Sequence, residues 1–220
     1  MRRAISQRMM HSLSSTAQMT GFGRIDMSAA LAWRQSLLAH ESQLGGRITV
    51  TDLLLKVCAC ALRDLPDLNA YIDGDEVVQL GSVDIGLAVA VEGGLLVPVI
   101  RHVDRLSLIE ICQARQAMVA KARAGRLARE DVEGGSFTLS NFGSYGGDFE
   151  TPILNSPQSA LLGIGRIGEE PVVREGQIVI RPIMMMSLTF DHRLIDGAMA
   201  GRFRQRVREL LEQPAIMSAT

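Results

Sequence analysis

The heptapeptide Asp191-His192-Arg193-Leu194-Ile195-Asp196-Gly197 sets an imidazole between an acid and a base, with a second aspartate four residues on. Imidazole titrates close enough to neutrality to take a proton and return it, as a general acid–base group must near pH 7. Spacing alone leaves two readings of His192 open, a catalytic base and a structural histidine serving packing or an ion pair. Asp196 is equally two-sided, because aspartate is also a good helix N-cap. Ser140 and Asn141, ahead of the glycine-rich Gly143-Ser-Tyr-Gly-Gly147, offer a hydroxyl and an amide that could face a ligand or serve as turn residues.

The elements that hold these residues follow from periodicity. The apolar run from Ile183 to Phe190 has the length of a buried strand, while Met199, Phe203, Val207, Leu210 and Leu211 recur at helical spacing. His192 therefore falls at a strand-to-helix junction, where a rigid scaffold can present a side chain into a cleft. Upstream, residues before about Thr16 form a short basic amphipathic segment, too short to be stable alone. Ser28 can cap a helix to about His40, whose apolar stripe is broken by Arg34. That guanidinium needs a partner, and an ion pair, a snorkelling stem and a ligand contact all satisfy it.

Thr51 opens a second helix, apolar on almost every side and so expected to be buried. The segments from Ile85 to Val91 and Leu95 to Ile100 flank Glu92-Gly93-Gly94 as a hairpin. Ser107 and Glu110 form a capping-box pattern for a third helix, with Gly125 as its stop. Extended segments return at 136–140, 160–164, 172–173, 177–180 and 183–190. Helices and strands thus mix without strict alternation, which argues against a doubly wound fold.

Some tempting chemistries are excluded by context. Gly163-Ile-Gly165-Arg-Ile-Gly168 matches a dinucleotide fingerprint letter for letter, yet no helix opens there to receive a pyrophosphate. Ser140, His192 and Asp196 invite a hydrolase triad, but the chain has no G-x-S-x-G elbow. His11, His40 and His102 lack metal-ligand spacing, and Cys58, Cys60 and Cys112 read as small buried thiols. The net charge of -1 gives no basic field for nucleic acid, although Arg202, Arg204, Arg206 and Arg208 cluster as the solvated side of the last helix. No apolar run reaches the length of a membrane span. With 220 residues, 47% of them hydrophobic, one well-buried core is expected.

The heptapeptide, with Gly135-Ser-Phe-Thr-Leu-Ser-Asn-Phe-Gly143, Gly94-Leu-Leu-Val-Pro98 and Thr151-Pro-Ile-Leu-Asn155, resembles the catalytic domain of dihydrolipoamide acyltransferases, the core subunits of 2-oxo acid dehydrogenase complexes. The likeness runs in family order from Arg2 to about Pro214. It implies a two-layer mixed α/β sandwich of the coenzyme A-dependent, chloramphenicol acetyltransferase-like fold at 17–220. Residues 1–16 would form an arm packing on a neighbouring subunit. It further implies a homotrimer able to build a larger shell, with active sites at subunit boundaries, each taking its histidine from one subunit and its serine from the next.

The chemistry so implied is acyl transfer between the thiols of dihydrolipoamide and coenzyme A. His192 acts as general base, Ser140 donates to the oxyanion, and Asp196 holds the loop. A thiol of pKa about 8.5 facing an imidazole of about 6.5 makes the proton transfer only modestly uphill. By motif position Arg34, Thr49, Ser140, Asn141 and Gly165 are expected to contact coenzyme A, and no metal is involved. Family members often carry aspartate where this chain has Ala90, so one ligand contact is expected to be missing or replaced.

Neither Lys56 nor Lys121 has the setting of a lipoyl lysine. A lipoyl domain on another chain, or on a longer protein of which this is a piece, is therefore expected to bring the acyl group. The other implied partners are a 2-oxo acid decarboxylase and a dihydrolipoamide dehydrogenase. The implied compartment is the cytoplasm of a bacterium or, as the alternative, the mitochondrial matrix. Two rivals stand beside this reading. Chloramphenicol acetyltransferase shares the ending of the motif but usually begins it His-His, and a non-catalytic assembly core would have lost the histidine that His192 retains.

Overall fold

The computed structural model describes residues 2–41 and 45–218. Helix α1 (Arg2–Ser15) leads into β1 (Gln18–Asp26), followed by α2 (Ser28–Leu38) and α3 (Val50–Asp64). Seven short strands come next: β2 (Ala70–Asp73), β3 (Glu76–Gln79), β4 (Ile85–Leu87), β5 (Val89–Val91), β6 (Gly94–Leu96), β7 (Val99–Ile100) and, after α4 (Leu108–Arg123), β8 (Phe137–Asn141). Two long strands, β9 (Ala160–Arg174) and β10 (Gln177–Asp191), precede α5 (Gly197–Glu212). The main sheet has the order β1-β10-β9-β8-β4-β7, with β9, β8 and β4 mutually parallel and the other pairs antiparallel.

Helices α2 to α5 share one core with the sheet, giving the expected mixed two-layer sandwich. Met184, Met186, Leu188 and Phe190 point from β10 into that core, and Phe203 of α5 tilts against Phe137 of β8 at 5.6 Å. The other sheet face is more polar. Ser187 lies beside Gly163, over which Phe142 and Pro152 close, and the buried Thr189 shares a hydrogen bond with the Thr20 hydroxyl of β1 at 2.8 Å. Helix α3 is buried along nearly its whole length, as its all-round apolar composition requires. All three cysteines are buried thiols, and burial pushes the Cys58 thiol up.

Several local expectations change. Ser28 is not the cap of α2: Met27 holds that position, and the Asp26 carboxylate accepts from the Ser28 amide at 3.0 Å and its hydroxyl at 2.6 Å. Helix α3 begins one residue before Thr51, with Thr49 and Asp52 forming a reciprocal capping box. Ser107 and Glu110 do form their box, and Gly125 follows α4 with φ +63, the left-handed turn glycine favours.

The hairpin about Gly93 is real but divided. β4 and β7 belong to the main sheet while β5 and β6 form a separate ribbon, because the Ala88 amide crosses to the Leu139 carbonyl. The segments foreseen at 172–173 and 177–180 are not separate strands. They extend β9 and β10 into a hairpin that leaves the sandwich and exposes Ile178 and Ile180. The arginines of α5 are not all solvated: Arg206 pairs with Asp64 at 2.8 Å, and Arg204 lies over Gly21 of β1.

Candidate active site

Ser140 and Asn141 close β8, level with Gly163 and Ile164 of the parallel strand β9. The next residues turn sharply to make the 143–148 loop, whose Gly147 carbonyl accepts from the Arg166 amide at 2.8 Å. A cleft of about 380 Å³ opens beside this strand end, lined by Ser140, Asn141, Thr51, Ala90, Arg115 and Tyr145 among others. The Ser140 hydroxyl has no hydrogen-bond partner among the described residues and is half-buried on the cleft wall. It is therefore available to a ligand oxygen.

The wall behind it is braced from the core. Asn141 donates from Nδ2 to the Thr51 hydroxyl at 3.3 Å, tying β8 to the first turn of α3. The next residue, Asp52, is fully buried and receives Arg115 at 2.5 Å from Nε and 3.1 Å from Nη2. Burial works against the Arg115 charge, but the paired carboxylate outweighs it and holds the guanidinium above its ordinary value. Arg115 thus stands on the cleft wall as one half of a buried ion pair.

Of the remaining expected ligand contacts, Arg34 donates from Nε to the Ile48 carbonyl at 3.0 Å, which sets it beside Thr49. The Thr49 hydroxyl and amide both donate to Asp52 at 2.7 Å, so this residue caps α3. Gly165 has a packing reason to be glycine. A Cβ there would collide with the Asp148 carbonyl, and one on Gly143 would collide with Gly165 itself. The register of β9 against β10 also slips at this point, between Met184 and Met186. The three glycines of the false dinucleotide fingerprint mark the crossing of a loop over a bulged strand.

His192 stands elsewhere. Asp191 ends β10, and α5 starts at Gly197 with Asp196 as its N-cap, accepting from the Met199 amide at 2.7 Å. The imidazole is exposed, lies 5.7 Å from the Phe190 ring, and has no side-chain hydrogen bond among the described residues. Ser140 is level with Gly163, Gly163 is level with Ser187, and His192 is five residues farther along. At about 3.3 Å per residue, His192 and Ser140 are separated by roughly 17 Å along the sheet alone. One chain does not bring them together, and Asp196 faces its own helix rather than either.

A second groove, of about 450 Å³, runs between β1, the long hairpin and α5. Arg174 pairs with Asp26 there at 3.2 Å, Arg24 reaches out of it to Glu170, and it holds neither Ser140 nor His192.

Sheet order and helical layer define a domain of the chloramphenicol acetyltransferase-like fold. That enzyme superposes with a TM-score of 0.61 at 16% identity, covering 93% of this chain and 94% of its own, a likeness of fold alone. The chain belongs to the family of 2-oxoacid dehydrogenases acyltransferase (catalytic domain), which matches residues 1–219.

Among its relatives is the dihydrolipoyllysine-residue succinyltransferase component of the 2-oxoglutarate dehydrogenase complex of Haemophilus influenzae. It is 41% identical over 215 residues, 97% of this chain and 53% of that protein. The chain thus spans about half the length of the curated relatives it matches. Two solved structures, the cubic core of a pyruvate dehydrogenase multienzyme complex and the dihydrolipoamide acetyltransferase of Azotobacter vinelandii, each superpose with a TM-score of 0.95 at 34% identity. Each covers 98% of this chain and 90% of its own.

Proposed function

We propose that this domain moves an acyl group between dihydrolipoamide and coenzyme A at a site completed between two subunits of a homotrimer. The observation that carries the reading is the unengaged Ser140 hydroxyl in a cleft whose lining holds no histidine, in a chain whose exposed His192 sits at the far end of the same sheet. A head-to-tail ring brings the two ends together at each boundary.

His192 takes the proton of the attacking thiol, and the thiolate adds to the thioester carbonyl. Ser140 donates a hydrogen bond to the oxygen that gains charge. When the tetrahedral intermediate collapses, the carbon–sulfur bond to the leaving thiolate breaks and the imidazolium returns the proton to it. Asp196 serves by capping α5 and so fixing the loop.

In the Azotobacter enzyme the catalytic roles of a serine, a histidine and an asparagine have been investigated. There the serine precedes the histidine by 52 positions and the asparagine follows it by four, which is the spacing of Ser140, His192 and Asp196. Aspartate and asparagine cap helices about equally well, so this difference preserves the role assigned to Asp196.

Arg34, Thr49, Asn141 and Gly165 line or brace the coenzyme A side. Arg115, paired with Asp52, and Arg123 stand on that cleft wall with Glu150, and Ala90 puts no further carboxylate there. Residues 1–16 pack as an arm on the neighbouring subunit, and trimers associate further, as the cubic core of the pyruvate dehydrogenase complex does. The acyl group arrives on a lipoyl domain outside these residues, charged by a 2-oxo acid decarboxylase and reoxidised by a dihydrolipoamide dehydrogenase, in the cytoplasm. Relatives include both succinyl and acetyl transferases, so the assay compares acyl groups. Transfer from acetyl-, succinyl- and isobutyryl-coenzyme A to dihydrolipoamide should be measured beside His192→Ala, with chloramphenicol as a competing acceptor. Turnover on dihydrolipoamide that vanishes in the variant is expected; transfer to chloramphenicol alone, or none by a folded trimer, overturns the reading.

A further inference from the structure

The imidazole of His192 is held by no side-chain hydrogen bond among the described residues, so its direction is set by the backbone turn that carries it. That turn is bound to the root of α1. The His192 amide donates to the Ala17 carbonyl at 2.8 Å, and the Ala17 amide donates to Asp191 Oδ1 at 3.2 Å. The Asp191 side chain is buried, and Arg193 clamps it from the other side, donating from its amide at 3.1 Å, from Nε at 3.0 Å and from Nη2 at 2.6 Å. The residues on either side of His192 thus grip one another, and the grip extends to Ala17.

Ala17 is in turn fixed by its neighbour Gln18. Gln18 Nε2 donates to the Ser12 hydroxyl at 3.1 Å and to the Thr16 hydroxyl at 2.9 Å, while Oε1 accepts from the Leu154 amide at 3.1 Å. Ser12 is the one buried side chain of α1 and donates to the Leu154 carbonyl at 2.7 Å. The run Thr151-Pro-Ile-Leu-Asn155 therefore seats the end of α1, and Gln18 couples that seat to the strand opposite Asp191.

We propose that Arg193, acting through Asp191, and Gln18, acting through the root of α1, are positioning residues for His192, so that the seating of the arm is transmitted to the imidazole. This rests on the reading of His192 as the base. A displacement of about 1 Å at a reacting group can cost a hundredfold in rate, and neither residue touches the cleft where coenzyme A is placed.

The test measures kcat and the KM for acyl-coenzyme A of trimeric Gln18→Ala, Arg193→Ala and Arg193→Lys beside His192→Ala. Expected is a fall in kcat of about tenfold to a hundredfold for the two alanine variants with KM unchanged, and partial recovery in Arg193→Lys, which keeps the charge without the fork. Unchanged kcat in both alanine variants, or a KM that rises in step with the loss, overturns the proposal. If Gln18→Ala does not assemble, the Arg193 pair on the exposed side of the turn decides the matter alone. Turnover that survives in His192→Ala overturns the base reading instead, so the two failures are distinguishable.

Discussion

Two inactive variants mixed in one trimer should recover activity, and the geometry sets how much. A base and an oxyanion donor must each lie within about 3 Å of the reacting atoms. In one chain the level of Ser140 and that of His192 differ by five residues of strand, roughly 17 Å at the usual rise. On the proposed roles of these two residues, a chain therefore cannot complete its own site. In a head-to-tail ring, a boundary is intact when the subunit giving histidine carries Ser140→Ala and the subunit giving serine carries His192→Ala. With the two variants coexpressed in equal amounts and assembled at random, about one boundary in four meets that condition. Thioester formation on dihydrolipoamide by the mixed trimers should reach about a quarter of the unsubstituted rate, against about a hundredth or less for either variant alone. Mixed trimers no more active than the mean of their parents would refute the shared site.

Ser140→Ala alone should slow turnover about a hundredfold, some 3 kcal/mol of barrier, with little change in the KM for acyl-coenzyme A; an equal rise in KM would assign the hydroxyl to ground-state binding. Asp196→Ala should lower stability by about 0.5–2 kcal/mol in denaturant titration through loss of the α5 cap, while Asp196→Asn should be nearly silent. Arg115→Leu strands the fully buried Asp52 carboxylate and should cost about 3–5 kcal/mol, much of it recovered when Asp52→Leu is added. Acid should loosen the His192 turn. Burial pushes the Asp191 carboxyl up, but Arg193 and the Ala17 amide outweigh burial and hold it below the ordinary 3.8. Its stabilising contribution is therefore complete above about pH 3.8 and lost as the pH falls through its lower folded value, and Arg193→Ala should narrow that acid transition.

The parts of this fold legible in the sequence are those decided within a turn or two of chain. The switch from the strand ending at Asp191 to the helix capped by Asp196, the box of Ser107 and Glu110, and the stop at Gly125 depend on neighbours three or four residues away. The length of β9 and β10 did not show because their outer half leaves the sandwich. There β9 has lost β8 as a partner, both faces meet solvent, and Pro171 and Pro182 are tolerated where an edge has no ladder bond to give. The apolar–polar alternation that marks a strand over a core is weak there, since no residue from Arg166 to Arg174 or from Gln177 to Pro182 is fully buried.

The site divides along the same line. His192 and Asp196 stood out because a local motif carries them, but Arg115 did not. Its meaning comes from Asp52, 63 positions away in sequence and fully buried, and a single arginine on a helix with mixed neighbours carries no such signal. The fingerprint around Gly165 is set aside because no helix opens there, but the reason for a glycine at that position, the Asp148 carbonyl crossing the strand, lies outside its local sequence. The distance between the hydroxyl and the imidazole within one chain is read from the register, Ser140 to Gly163 to Ser187, which places them on one sheet and out of reach of each other. A motif names the chemistry a side chain can do; the strand register decides which other side chains of the same chain it can reach.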